Sequence, residues 1–297
     1  MKVDGVFAGG GVKAFAFLGA LQIMEEKGYE FVRLAGTSAG AIVASLLKAG
    51  YTSEELFALL SDLDVEMFKD ERRTFVPFPI AKWFFLYFRM GLYRGDQLEQ
   101  WLKEKLRQKG VETFADLPKQ SLRVIASDLT KGKIVVLPDD LKDYGIIPEK
   151  FSVARAVRMS CSVPFFFEPV KLYDRAEKGR ACFIVDGGVL SNFPMWLFSD
   201  GKKKLRRPVI GFQLKPEVKD ISEQRIDNAI ALFKALFNTM TSAHDTRYIS
   251  KKHAKNIVFI PVEHVDATDF HLSDTMKEQL ITLGREETEQ FLTTWTP

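Results

Sequence analysis

The chain has 297 residues, enough for one large α/β domain or two average ones, and its 46% hydrophobic and 27% charged residues are ordinary for a globular protein. A net charge of +3 is too small to indicate nucleic-acid binding by itself, and two cysteines exclude a disulfide framework and favour a reducing compartment. All four histidines lie in the last quarter of the sequence, so chemistry in the first three quarters has to proceed without histidine.

The first 50 residues alternate short apolar strands with apolar helices. Strands are predicted at Val3–Ala8 and Phe31–Ala35, and helices at Ala14–Lys27 and Ala39–Ala49. This alternation is typical of a parallel α/β core. The N-terminus shows no small-residue cleavage site, and no uncharged stretch reaches the ~18 residues of a membrane-spanning helix. We therefore expect a cytoplasmic protein, with peripheral contact at the inner membrane face left open.

A loop of three glycines, Gly9, Gly10 and Gly11, joins the first predicted strand to the first helix. Its bare backbone N–H groups, next to a helix N-terminus, form an anion site that can hold a phosphate or an oxyanion. The spacing Gly9-x-Gly11-x-x-Ala14 also fits a dinucleotide-binding pattern, but the second strand ends at residues 35–37 without the carboxylate that this pattern needs. A P-loop is excluded because no Gly-Lys-Ser/Thr follows.

The second strand and second helix are joined by a G-x-S-x-G turn, residues 36–40. In a strand–turn–helix context, this sequence predicts a nucleophile elbow that presents Ser38 at the helix N-terminus. Because adjacent parallel strands end at the same sheet edge, the N–H groups of Gly10 and Gly11 are expected to face Ser38 as an oxyanion hole.

The remaining elements are read from periodicity and caps. Thr52 and Glu55 predict a capping box, and Asp96 is predicted to cap a helix that ends before Gly110. A hairpin is predicted at Leu122–Leu129 with Ile134–Leu137, and a short helix at Ser152–Ser160. Three strands follow at Phe183–Val185, Val209–Leu214 and Ile257–Val262, and a final helix at Asp274–Leu292. Without repeats or a linker, we predict a single domain over residues 1–297.

Ser38 needs a general base, and the sequence offers two kinds. A late histidine (His244, His253, His264 or His271) would complete a triad, but none has a local catalytic signature. Asp186 follows a buried run and precedes two glycines, which leave room for its carboxylate to approach another side chain.

Together, the stretches Gly9–Lys13, Gly36–Gly40 and Asp186–Gly188 resemble the motifs of the patatin-like phospholipase family, in its bacterial branch. Supporting stretches are Ala126–Leu129, Ala154–Val170 with Ser160 and Pro164, and Asn192–Pro194, so that the resemblance spans residues 3–195. It implies a three-layer α/β/α patatin-like fold with a mainly parallel central sheet.

The resemblance also implies a Ser–Asp dyad without histidine: Ser38 as the nucleophile that forms an acyl-enzyme, Asp186 as the base, and Gly9, Gly10 and Gly11 as the oxyanion loop. Lys13 is a candidate for binding a phospholipid phosphate, with packing of its apolar stem as the alternative. The implied activity is hydrolysis of lipid esters, with a lipid substrate and without metal, cofactor or nucleic acid. A lipid acyltransferase and a non-catalytic lipid- or nucleotide-binding module are the alternatives, and the oligomeric state stays open.

Two aromatic clusters are also predicted to matter. Residues 74–94 combine many aromatic side chains with prolines and cations, and Phe165–Phe167 follows Pro164. Such stretches suit a lid, an acyl-chain channel or an interfacial helix, and core packing explains them equally well. The basic run Lys202–Arg207 is interpreted as a solvated loop or as a contact for anionic headgroups.

Overall fold

A computed structural model describes residues 1–61, 65–70, 85–198, 207–215, 226–227, 231–232, 235–237, 239–240, 254–262 and 272–296. Residues 74–84, the basic run 202–206 and the four histidines lie outside the described residues, so the predictions on them stay predictions. None of the described helices is both long and apolar enough to cross a membrane.

The core is one open sheet. Its strands are β1 (Lys2–Phe7), β2 (Glu30–Thr37), β4 (Leu122–Asp128), β5 (Lys133–Leu137), β7 (Val170–Asp174), β8 (Arg180–Asp186), β9 (Val209–Lys215) and β10 (Ile257–Pro261), while β3 (Gly91–Tyr93) and β6 (Phe165–Phe167) form a separate parallel pair. The order is β10-β9-β1-β2-β4-β8-β7, with β5 also paired to β4. The first five strands of this order are parallel, and β8, β7 and β5 join in antiparallel pairings. The predicted mainly parallel sheet is confirmed.

Helices flank this sheet at α1 (Phe15–Glu26), α2 (Ala39–Lys48), α3 (Ser53–Ser61), α4 (Asp96–Gln108), α5 (Val153–Ser160) and α6 (Asp274–Thr294). Strand β1 is buried on both faces: Phe7 packs with the main helix-covered core, and Val6 packs with a smaller cluster around Phe193. That double burial explains why its last two residues, Val6 and Phe7, are both apolar although their side chains point to opposite faces.

Helices α1 and α6 cross at two glycines. A Cβ on Gly19 would lie 1.9 Å from Ile281 O, and a Cβ on Gly284 would lie 1.9 Å from Ala16 O. The two backbones therefore touch directly, and no larger residue fits at either position without moving a helix.

One predicted cap is confirmed and another is wrong. The Thr52–Glu55 capping box forms in both directions, at 2.9 and 3.1 Å. Asp96 does not cap α4; Gly95 precedes the helix, and the Asp70 carboxylate accepts hydrogen bonds from the N–H groups of Gly95, Asp96 and Gln97. The N-terminus of α4 is therefore capped by a carboxylate 25 residues before Gly95, and not by the local side chain that the sequence indicated.

The position of β8 is the feature that builds the site. Strand β2 pairs with the first half of β4, ending with Thr37 opposite Ile125. Strand β8 runs the other way along β4 and pairs with its second half, ending with Asp186 opposite Ala126. Two strands thus approach head to head along one neighbour, and their carboxyl ends meet at consecutive residues of β4.

Candidate active site

Ser38 lies at the turn between β2 and α2 in a strained backbone conformation, with φ 53° and ψ −128°. Such geometry costs about 1–3 kcal/mol in a residue other than glycine. The flanking glycines remove the clashes: a Cβ on Gly36 would lie 2.4 Å from Gly40 O, and a Cβ on Gly40 would lie 2.4 Å from the carbonyl oxygens of Phe7 and Ala8. The predicted strand–turn–helix context and the need for small neighbours are confirmed.

The glycine loop lies beside this turn. A Cβ on Gly9 would lie 3.3 Å from Ser38 Cβ and 2.4 Å from Asn192 Oδ1, so a larger residue would require the Asn192 side chain to move. The Gly9 N–H already donates to Asn192 O at 3.1 Å, whereas no hydrogen bond from the N–H groups of Gly10 or Gly11 occurs within the described residues. Of the three glycines, Gly10 and Gly11 therefore offer donors, and Gly9 offers space.

Asp186 reaches the same place from the opposite direction, at the end of β8. Its side chain is buried, and the 1% exposed fraction leaves it no contact with bulk water. Oδ1 accepts a hydrogen bond from Gly188 N–H at 2.7 Å. Oδ2 has no hydrogen-bonding partner among the described residues.

This environment raises the pKa of Asp186 from 3.8 to about 7, because burial disfavours the charged form. The Ser38 hydroxyl and the Gly188 N–H offset part of that effect by stabilising the carboxylate. Ser38 Oγ therefore lies beside the carboxyl group, although the two do not make a hydrogen bond of standard geometry. A carboxyl group with a pKa near neutrality, next to a strained serine, is suited to accept a proton.

An apolar cavity of about 140 Å³ opens on Ser38. Its wall comes from the glycine loop, α1, α2, α3, the short turn of residues 65–68, α4 and the segment after α5. The lining residues are Gly11, Val12, Ala14, Phe15, Ser38, Ala39, Ile42, Val43, Leu60, Phe68, Leu98, Trp101, Cys161, Val163, Phe166 and Phe167. No charged side chain is among them. The cavity is therefore suited to a hydrocarbon group attached to the atom that Ser38 would attack.

The described parts of the two aromatic clusters meet in the small β3–β6 sheet beside this cavity. Gly91 and Tyr93 of β3 pair with Phe165 and Phe167 of β6, and the Tyr93 and Phe166 rings lie 4.8 Å apart. Phe166 and Phe167 line the cavity, whereas Phe165 is 42% exposed. The second cluster thus contributes both to the cavity wall and to the protein surface.

The other predicted site residue, Lys13, is half-buried in the short helical turn after the glycines and does not line the cavity. Sequence reasoning missed a functional contact of Ser160, whose hydroxyl accepts the Ser38 N–H at 2.8 Å. It also missed Arg158, a guanidinium with 2% exposure that donates to the carbonyls of Gly95, Arg94 and Glu168. The only signal for Arg158 was a charge on an otherwise apolar helix face.

Comparisons with known proteins agree with these features. A sequence model of the family described as patatin-like phospholipase matches residues 5–199. The uncharacterized protein YqhO of Bacillus subtilis (strain 168) is 53% identical over 296 residues, 100% of this chain and 100% of that protein. The probable lipid hydrolase 463L of invertebrate iridescent virus 6 is 26% identical over 203 residues, 64% of this chain and 61% of that protein.

Among solved structures, VipD from Legionella pneumophila resembles this chain with a TM-score of 0.58 at 19% identity, over 99% of this chain and 67% of that one. This likeness concerns the fold alone. It agrees with a mainly parallel sheet flanked by helices, and the predicted three-layer α/β/α fold of this type is confirmed.

Proposed function

This chain belongs to the patatin-like phospholipase family, and from that premise we propose that it is a serine lipid acyl hydrolase, which cleaves ester bonds of phospholipids or related lipids. The observation that carries the proposal is the pair formed by Ser38 and Asp186. Ser38 is strained, and it lies beside a buried carboxyl group whose Oδ1 accepts a hydrogen bond from Gly188 N–H and whose Oδ2 has no hydrogen-bonding partner among the described residues. The name of the viral relative, probable lipid hydrolase, points to the same substrate class.

In the proposed reaction, ionised Asp186 takes the proton of Ser38 as Oγ attacks the ester carbonyl carbon. The N–H groups of Gly10 and Gly11 donate to the oxyanion that develops, and loss of one such donor typically raises the barrier by about 2.7–4 kcal/mol. Asp186 then passes its proton to the departing alcohol, which leaves an acyl group on Ser38.

Water completes the cycle. It attacks the acyl-enzyme carbonyl and gives a proton to Asp186, which returns it to Ser38 Oγ as the fatty acid leaves. A base with a pKa of about 7 is largely ionised just above neutral pH and still basic enough to accept a proton. Because Asp186 does both steps, the cycle needs no histidine.

The apolar cavity supports a lipid acyl chain as the group transferred to Ser38. Each methylene that leaves water for an apolar wall contributes about 0.8 kcal/mol of binding. A cavity of about 140 Å³ provides such a wall next to the nucleophile. In the proposed complex, the carbonyl oxygen of the ester faces the glycine loop. The head group of the lipid would stay outside this cavity.

A covalent label tests the proposal. A fluorophosphonate probe should modify wild-type protein at Ser38, and Ser38→Ala should abolish both labelling and release of fatty acid from phospholipid, as measured by mass spectrometry. If an added alcohol is converted to its fatty-acid ester and little free fatty acid is released, the protein would be an acyltransferase. An unlabelled Ser38 in folded wild-type protein would favour a non-catalytic binding module and overturn the proposal.

We further propose that the protein is cytoplasmic and that it makes peripheral contact with a membrane through the aromatic surface next to the cavity. Tyr87 is 80% exposed and Phe88 60% exposed, and they precede β3, whose partner β6 forms part of the cavity wall. Exposed aromatic rings of this kind suit the headgroup region of a bilayer.

The double variant Tyr87→Ser/Phe88→Ser should lower sedimentation with phosphatidylglycerol-containing vesicles and leave hydrolysis of a soluble butyrate ester unchanged. The variant Tyr173→Ser, at another exposed ring, serves as the control. Equal vesicle binding by wild type, the double variant and Tyr173→Ser would show that this surface does not contact the membrane.

A further inference from the structure

Ser160 occupies a place in the sheet that a backbone group would normally fill. Leu34 N–H of β2 donates to Ser121 O at 2.7 Å, at the start of the pairing between β2 and β4. In a parallel ladder, every second residue of one strand donates its N–H to the partner strand, and each accepting carbonyl lies two residues after the previous one. A regular continuation would therefore join the Ser38 N–H directly to Ile125 O.

The structure has a hydroxyl group between these two atoms instead. The Ser38 N–H donates to Ser160 Oγ at 2.8 Å, and the Ser160 hydroxyl donates to Ile125 O at 2.5 Å. Both backbone groups are satisfied, although β2 has left the sheet at this residue. The hydroxyl is fully buried, so bulk water does not reach these backbone groups.

The same turn of chain also holds Asp186. Two residues after Ser160, the carbonyl of Ser162 accepts the Asp186 N–H at 2.9 Å. The Ser162 hydroxyl donates to Arg158 O at 2.8 Å and accepts from the buried Arg158 guanidinium, which in turn holds the backbone on either side of the small β3–β6 sheet. The end of α5 thus contacts the backbone of both members of the pair.

We propose that Ser160 is the positioning residue for Ser38: its hydroxyl replaces a β-ladder hydrogen bond and thereby holds the serine turn in its strained conformation at the point where β2 and β8 meet. The inference rests on the proposed nucleophilic role of Ser38. Ser160 itself touches neither the substrate nor the reacting atoms in this account, and it acts only through the backbone of Ser38.

Without the hydroxyl, the Ser38 N–H and Ile125 O would be left buried and unpaired, or would close the gap by pairing directly. Direct pairing would draw the turn into the sheet and relax the φ of Ser38. Either outcome removes the preorganised position of Oγ while leaving the cavity and Asp186 in place. The expected defect is therefore in the chemical step and not in substrate binding.

The test compares Ser160→Ala with Ser160→Thr, which keeps the hydroxyl, and with the control Ser45→Ala. Ser45 is an equally buried serine whose hydroxyl donates to Ile42 O inside α2, away from the Ser38 backbone. For each folded protein we would measure kcat and KM with p-nitrophenyl butyrate, the rate of fluorophosphonate labelling, and the pH midpoint of activity.

Ser160→Ala should lower kcat and the labelling rate by about 10- to 100-fold, equivalent to about 1.4–2.7 kcal/mol. KM should change by less than about twofold, the pH midpoint should stay that of wild type, and Ser160→Thr should recover most of the rate. Ser45→Ala should behave as wild type. Should Ser160→Ala not fold, Ser160→Cys fills the site with a slightly larger group that is a weaker hydrogen-bond donor, and it should give an intermediate rate.

Wild-type rates for Ser160→Ala, or losses in Ser45→Ala as large as in Ser160→Ala, would overturn the inference. So would a failure of Ser160→Thr to recover activity although it is folded. If wild-type protein itself is neither labelled nor active, the proposed function fails first and the inference falls with it, so the two failures are distinguishable.

Discussion

Asp4 and Asp186 are almost equally buried carboxyl groups, but they differ in the groups that donate hydrogen bonds to them. Asp4 accepts hydrogen bonds from the backbone N–H and guanidinium of Arg33 and from Arg207. Asp186 accepts one, from Gly188 N–H, and its Oδ2 has no partner among the described residues. Burial alone therefore does not decide what a carboxyl group does. The number of donors separates an anchor of the fold from a candidate base.

The largest expected difference between the two carboxyl groups is in catalysis. Asp186→Asn should lower kcat for a p-nitrophenyl ester by about 100- to 10,000-fold, because the amide cannot accept the Ser38 proton. Asp4→Asn should keep kcat, per folded molecule, within about twofold of wild type. Wild-type turnover by Asp186→Asn would show that another group is the base.

The second difference is in stability, and we expect opposite signs. Asp4→Asn removes the charge that two guanidiniums share and should lower the free energy of unfolding by about 3 kcal/mol. Asp186→Asn removes a poorly solvated charge and should raise it at pH 8 by about 2–4 kcal/mol. Urea unfolding of both variants at pH 8 measures this, and a loss of stability in Asp186→Asn would contradict the description of that site.

The smallest expected effect is the dependence of activity and of unfolding free energy on pH. The pKa of Asp186 is raised to about 7 in the folded protein, so activity should rise with pH around a midpoint near 7. Between about pH 4 and pH 7 the folded protein holds a proton that the unfolded chain has lost. The stability that this group contributes is therefore complete below about pH 4 and disappears as the pH rises through 7.

Urea unfolding at pH 5 and pH 8 gives the matching measurement. The stability advantage of Asp186→Asn over wild type should be larger at pH 8 than at pH 5. An advantage that does not depend on pH would mean that Asp186 does not titrate in this range.

The sequence predicted those parts of the site that depend on neighbouring residues. The glycine loop, the serine turn and the helices after them are local patterns, and β1 and β2 lie side by side as their alternation with helices indicates. Asp186 was recognised from its two glycines and its place after a buried run, combined with the family resemblance. These signals are short in sequence and therefore readable.

What the sequence did not predict depends on distant pairing. Nothing local to Asp186 tells that β8 runs antiparallel to β4 and meets the end of β2 there. The cap of α4 comes from Asp70, and the hydroxyl that bridges Ser38 to Ile125 comes from Ser160, far along the chain from both. Such contacts are fixed by the packing of whole elements, which a residue pattern does not encode.

The position of β1 has a consequence for the order in which the protein forms. Its outer neighbour is β9, which lies beyond residue 199, where the family match stops. The Ala8 N–H donates to Phe212 O, and Leu214 lies where a Gly10 side chain would be. Until β9 has been synthesised, the outer edge of β1 is unpaired and Leu214 cannot pack against the glycine loop. The serine turn can form before β9 is made, but the loop that would stabilise its oxyanion is completed only when β9 pairs with β1.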